Sequence, residues 1–298
     1  MINRVLIRTR VLQTAYAHLH RGELKLTAAE QDLQLSLERT YDLYLYLLQL
    51  IPSLTDFYQE VLDIRRRKHL ATHEERTPNL RLVENRFARQ LASSEKLQLW
   101  YEQFGLRWEE DEALLRHLIR LIEDSSLYAS YLSNKETSYE GDQTFWADVF
   151  HQLFAQDEHL NEWLEQHSLY WEDDLQVLEK IECEERPSGE EEQIQQVISE
   201  AKEQGAYQAS RFENGPVEIV KDFVEKSLRK ASEELPIDDQ FLPMFRDSED
   251  ETFARHLLRQ VLLKQEEYLQ LIEPFLTEGW SSERLADIDA VSYTHLTL

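Results

Sequence analysis

The sequence predicts an all-α protein, and three observations carry that prediction. Gly and Pro number only seven each in 298 residues, too few for the frequent turns of sandwiches and barrels. Leu, Glu and Gln are abundant, and all three are good helix formers. Apolar residues recur at three- and four-residue spacing through most of the chain. The same scarcity of Gly and Pro excludes collagen-like and low-complexity classes. Hydrophobic residues make up 42% of the chain, enough for one large core or two small ones. No apolar run approaches the roughly 18 residues of a membrane span, and no leader pattern opens the chain. Cytoplasm is therefore the expected compartment, with no membrane partner.

The first helix is expected over about 3–20, with Val5, Leu12, Tyr16 and Leu19 on one face. Gly22 is its expected terminator. Thr27 and Glu30 form a capping box for a second helix through Leu33, Leu37, Tyr41, Tyr44 and Leu48. Pro52 is expected to interrupt it, because proline lacks the N–H and clashes with the preceding turn. A third helix over 53–69 ends in Arg65-Arg66-Arg67-Lys68, cations that suit a helix C-terminus. Further helices are expected near 80–91, 93–104, 108–132, 143–167, 172–182, 190–204 and 216–233. Arg186-Pro187-Ser188-Gly189 reads as a linker. Ser248 with Glu251 caps a long helix, and one more follows Ser281 or Ser282. Residues 291–298 favour strand without a partner strand and read as a foreign tail.

The formal net charge of −26 argues against a protein that meets nucleic acid with its whole surface. Its distribution matters more. Residues 1–22 hold four Arg and no acid; residues 65–90 hold eight bases and three acids. Residues 138–205 hold nineteen acids and three bases. The chain thus joins a basic start and one basic internal segment to an acidic body.

Catalytic and metal patterns are scarce. No Gly-rich phosphate loop and no His-Glu-x-x-His occurs. No histidine has Glu three residues before it, as a di-iron bundle would need. His69 and His73 share an i,i+4 face but stand beside a cationic run that repels divalent ions. Asp173-Asp174 and Glu190-Glu191-Glu192 read as solvated faces. Ser, His and Asp occur without a nucleophile elbow. Cys183, flanked by carboxylates, is a poor nucleophile. No enzyme, metal or cofactor is expected. Aromatic groups such as Trp163, Tyr170 and Trp171, or Tyr41, Tyr44 and Tyr46, read as core before base-stacking platforms. Tyr46 stands apart: it points about 200° from Tyr44, so it needs a second buried face or a ligand.

The candidate site is the first helix. Arg4, Arg8 and Arg10 lie within seven residues, with no acid before Glu23. Arg4 and Arg8 share a face; Arg10 points elsewhere. Together they could clasp a phosphate backbone while Asn3 and Gln13 meet bases. Cations at a helix N-terminus oppose its dipole, a cost that suggests use.

The stretch from Arg4 through Arg8, Arg10, Val11, Leu12, Gln13 and Thr14 to Ala15-Tyr16 resembles the opening helix of the NusB family of transcription antitermination proteins. A second stretch resembles the same family. It runs from Phe253-Ala254-Arg255-His256-Leu257-Leu258 through Ile272-Glu273-Pro274-Phe275-Leu276 and Trp280 to Glu283-Arg284-Leu285-Ala286 and Ile288-Asp289. The resemblance covers about 60 of the 298 residues. It implies a NusB-like helical bundle, split here by a long helical insertion and lacking the family's last helices. It implies a non-catalytic antitermination factor that binds single-stranded boxA-like RNA with the ribosomal protein NusE, and RNA polymerase indirectly. The implied RNA-binding residues are Asn3, Arg4, Arg8, Arg10, Gln13 and Tyr16. The expected divisions are 1–52 (N-terminal family part), 53–246 (acidic insertion), 247–290 (partial C-terminal part) and 291–298 (tail). With the last helices absent, part of the RNA- and NusE-facing surface is expected to be missing. The alternative reading is an acidic scaffold that recruits a basic, ribosomal partner through 138–205.

Overall fold

The computed structural model describes residues 1–20, 25–134, 137–171, 215–264 and 267. Gly22, the expected helices over 172–182 and 190–204, Cys183, the 186–189 linker and the tail over 291–298 lie outside the described residues. So does most of the second stretch of family resemblance. The described residues are all-α. Their helices are α1 (Arg4–His20), α2 (Leu26–Arg67), α3 (His73–Arg76), α4 (Arg86–Ala92), α5 (Glu95–Phe104), α6 (Glu112–Glu123), α7 (Ser126–Ser133), α8 (Tyr139–Val149), α9 (Glu158–His167), α10 (Pro216–Lys230) and α11 (Ser248–Leu263). The one extended pairing among these residues is an isolated parallel bridge between Ile2 and Phe245. No described helix is long and apolar enough to cross a membrane.

The described residues fall into two compact units, with divisions at 41/42, after Trp171, at 219/220 and at 242/243. Among the described residues, one unit takes 1–20, 25–41, 215–219 and 243–264; the other takes 42–134, 137–171 and 220–242.

In the first unit α1 packs along α11. Its core is Ile2, Leu6, Ile7, Val11 and Ala15, with Leu33 and Leu37 of α2 and Ala254, Leu257, Leu258 and Val261 of α11. The expected α1 face is thus rotated: Val5, Leu12, Tyr16 and Leu19 are only half-buried. Apolar residues stand on several sides of this helix, so spacing alone did not single out the buried one. The cap of α11 lies one residue earlier than expected, because Asp247 and not Ser248 accepts the N–H of Asp250, at 3.0 Å.

The second unit surrounds α2 from Asp42 onward. Pro52 does not end that helix; α2 runs through it. The missing backbone bond and the ring clash are offset by enclosure, since Leu47, Leu48, Leu50, Ile51 and Leu54 are all buried. Conversely, the expected helix over 108–132 is broken in two. Asp111 caps α6 and Ser125 caps α7, each accepting the N–H three residues on. Short polar side chains that bond locally compete with helix continuation. The expected helix over 143–167 breaks in the same way at Asp157, the cap of α9, after a π-type turn over Phe150–Phe154. Gly105, at φ +80°, ends α5 where a side chain would be strained.

Tyr46 sits at the centre of this unit. It stacks on Trp108 (ring centroids 4.0 Å), Trp171 (5.3 Å) and Trp163 (5.6 Å). The Trp108 indole N–H donates to the Tyr46 carbonyl at 3.1 Å. The second buried face of α2 is therefore an aromatic core, and Tyr46 is no stacking platform for bases. Gln143 closes the unit by donating to the carbonyls of Leu228 (2.8 Å) and Ala231 (2.6 Å) at the end of α10.

Candidate nucleic-acid interface

The six residues suggested by the sequence separate into two groups. Asn3, Arg4 and Arg8 are at or near the surface of the first unit; Arg10 is buried, with Gln13 bonded to it. Asn3 precedes α1, and its side-chain oxygen accepts the N–H of Leu6 at 2.9 Å. Its amide oxygen is thereby committed to capping the helix, while its NH₂ remains a donor.

Arg4 keeps 59% of its side chain exposed, and its Nε donates to the Asp250 carboxylate at 3.3 Å. Its guanidinium lies 4.9 Å from the centre of the Phe253 ring, and that of Arg8 lies 5.9 Å from the same ring. Cations placed over an aromatic face are attracted by the ring quadrupole. Asp250 and Phe253 are three residues apart and so share a face of α11. Asp250 also supplies a structural reason for tolerating a cation at the start of α1, so the dipole cost no longer argues for use by itself. An ion pair this exposed contributes about 0–1 kcal/mol.

Arg10 has a different role. It is 2% exposed, and its Nε donates to the Thr40 hydroxyl at 3.1 Å. Its Nη1 donates to the Gln13 side-chain oxygen at 3.0 Å. This charge is a strut between α1 and α2, turned away from any phosphate backbone. Gln13 spends its carbonyl on that strut. Tyr16 is half-buried.

Sequence reasoning missed two contributors. Phe253 reads as a core residue but is half-buried under two guanidiniums. Arg246 lies in an irregular stretch without periodic signal. The bridge of Ile2 to Phe245, with Ile2 N–H donating to the Met244 carbonyl at 2.8 Å, sets its backbone level with Asn3. Arg246 is exposed, with no ion-pair partner among the described residues. The surface thus combines three arginines, an amide and one aromatic ring.

The basic segment over 65–90 belongs to the second unit and is partly neutralised. Arg65 is held by both carboxylate oxygens of Glu123, which raise its pKa above the ordinary value. Lys68 pairs with Glu75 at 2.7 Å and Arg86 with Glu233. Arg81 lies 4.2 Å from the centre of the Tyr131 ring. Arg66, Arg67, Arg76 and Arg89 are exposed.

Compared with known proteins, the chain matches no family model, no curated protein and no solved structure.

Proposed function

We propose that this chain is a non-catalytic RNA-binding antitermination factor of the NusB type, taking short single-stranded, boxA-like RNA together with a NusE-like ribosomal protein. The observation that supports the reading most is the pairing of α1 with α11. The opening stretch of the resemblance and the start of the other, about 240 residues apart in sequence, lie side by side in one unit. Arg4 and Arg8 there converge on Phe253.

That arrangement suits unpaired RNA. Guanidiniums meet phosphates and can stack on an unstacked base, while the ring beneath orients them. Arg10 is left out of the contact set because of its burial.

The test is fluorescence anisotropy of a labelled boxA-like single-stranded RNA against the full chain over a salt series. The expected log–log slope is shallow, on the order of two or three phosphates at ~0.7 per phosphate. Replacing Arg4, Arg8 and Arg246 by Glu is expected to abolish binding with the fold intact. An affinity unchanged by that triple replacement would overturn the reading.

A further inference from the structure

A different part of the molecule carries a second site. In the second unit, His117 of α6 and Asp157 and His159 at the start of α9 present one ligand atom each, and all three atoms lie within 4.8 Å of one another. His117 Nε2 is 2.8 Å from Asp157 Oδ2. The two imidazole rings are 4.2 Å apart, centre to centre. We propose that His117, Asp157 and His159 form a binding site for a divalent transition-metal ion of the zinc, cobalt or nickel class.

The donor set decides the class of ion. Two imidazoles and one carboxylate suit borderline ions such as Zn²⁺, Co²⁺ and Ni²⁺, whereas Mg²⁺ and Ca²⁺ want oxygen alone. The carboxylate is already oriented. Its other oxygen, Oδ1, accepts the N–H of Leu160 at 2.9 Å and caps α9, so Oδ2 is aimed at His117 by the backbone. A hydrogen-bonded outer partner of this kind holds a metal ligand in place.

The capping bond and one His–Asp contact already satisfy the needs of the fold. His159, an exposed residue, adds nothing to either.

His117 and His159 border a cavity of about 370 Å³, also lined by Asp111, Glu162, Arg120 and Trp163. With Asp157, in contact with His117, the carboxylates number three against one guanidinium. Glu162 is three residues beyond His159, on the same face of α9, and also lines the cavity. Positions left open by the protein ligands face this cavity, where water or a small ligand can enter. The ion would clip α6 to the start of α9 across 40 residues of chain.

This site was not legible from spacing. His117 is remote in sequence, and Asp157-x-His159 alone is an undistinguished pair. The i,i+4 pair that spacing does suggest, His69 and His73, lies on exposed residues beside Arg66, Arg67 and Arg76.

The experiment is titration of the metal-stripped full chain with Zn²⁺ by calorimetry and with Co²⁺ by visible absorption. One tight ion per chain is expected, with cobalt bands of a nitrogen–oxygen site and a melting temperature that rises with Zn²⁺ concentration. His159→Gln touches only an exposed side chain. It is expected to weaken binding by more than the ~10–100-fold typical of an outer-shell change. Asp157→Asn keeps the cap acceptor and loses the anionic ligand, so it too should lose the ion while retaining the helical circular-dichroism signal. Changing His69 and His73 together to Gln should leave binding as it was. The proposal is overturned by an absence of Zn²⁺ heat and cobalt bands. It is equally overturned if both His159→Gln and Asp157→Asn bind as tightly as the parent, or if the His69/His73 change removes the site.

Discussion

The two compact units solve burial differently. The second surrounds one stretch of α2 with rings: Tyr46 stacks on Trp108, Trp163 and Trp171, and Phe145 stacks on Tyr131 at 4.1 Å. The first buries a polar seam beside its aliphatic core, in which Thr9, Arg10, Thr14, His18, Ser36 and Thr40 are all nearly inaccessible. Directed bonds run through that seam, as they do at Asn85, Asp142 and Gln143 of the second unit. Arg10 donates to Thr40, His18 Nε2 is 2.8 Å from Asp32, and Arg259 pairs with Glu30. A unit that buries one arginine while leaving its neighbours Arg4 and Arg8 toward solvent teaches a general point. Charge counted along a helix is no measure of charge available at its surface.

The largest effect that would sharpen this contrast lies in the ring core. Trp108→Ala removes the closest stack on Tyr46 and an indole hydrogen bond, and is expected to cost about 3–5 kcal/mol. Chemical denaturation measures it. A loss under ~1 kcal/mol would mean that the rings are not what holds the second unit.

Alkali should act on the same unit. Burial pushes the Tyr139 hydroxyl up to about 12, and it raises those of Tyr44, Tyr46, Tyr58, Tyr101, Tyr128 and Tyr131 as well. An unfolded tyrosine ionises near pH ~10. Groups with raised folded pKa values contribute stability that is whole below the unfolded value and is lost as pH rises through the folded one. Melting temperature should therefore fall steeply above about pH 10. A flat profile from pH 9 to pH 12 would contradict the burial of these hydroxyls.

A smaller effect has the opposite sign. The Tyr46 hydroxyl is buried without a hydrogen-bond partner among the described residues. A buried hydroxyl left unpaired costs on the order of 1–3 kcal/mol. Tyr46→Phe should keep the stacks and stabilise the chain by about 1 kcal/mol. Destabilisation by that amount would show that the hydroxyl has a bond that matters.

Local chemistry makes much of the fold readable in the sequence. Asp and Ser caps, the cationic end of α2 and the helical spacing of leucines are all short-range signals. The breaks at Asp124-Ser125 and Asp157 were present in the same chemistry but were outweighed by apolar periodicity running across them. Continuity through Pro52 was unreadable, because only the enclosing helices offset the proline. The candidate interface divides the same way. Arg4 and Arg8 were visible as a shared face. The commitment of Arg10 was not, because Thr40 is 30 residues away. Phe253 and Arg246 reach the surface through contacts with the chain's opposite end.

Arg8 and Arg10 test the account most directly, since they are two residues apart and are assigned opposite roles. Each is changed to Gln in the full chain, and two quantities are read: melting temperature, and affinity for the single-stranded RNA well below the melting transition. Arg8→Gln is expected to weaken RNA binding several-fold with melting unchanged. Arg10→Gln is expected to lower the melting temperature and leave the affinity of the folded protein as it was. A loss of affinity in Arg10→Gln with melting unchanged, or an Arg8→Gln chain that binds like the parent, would contradict these roles.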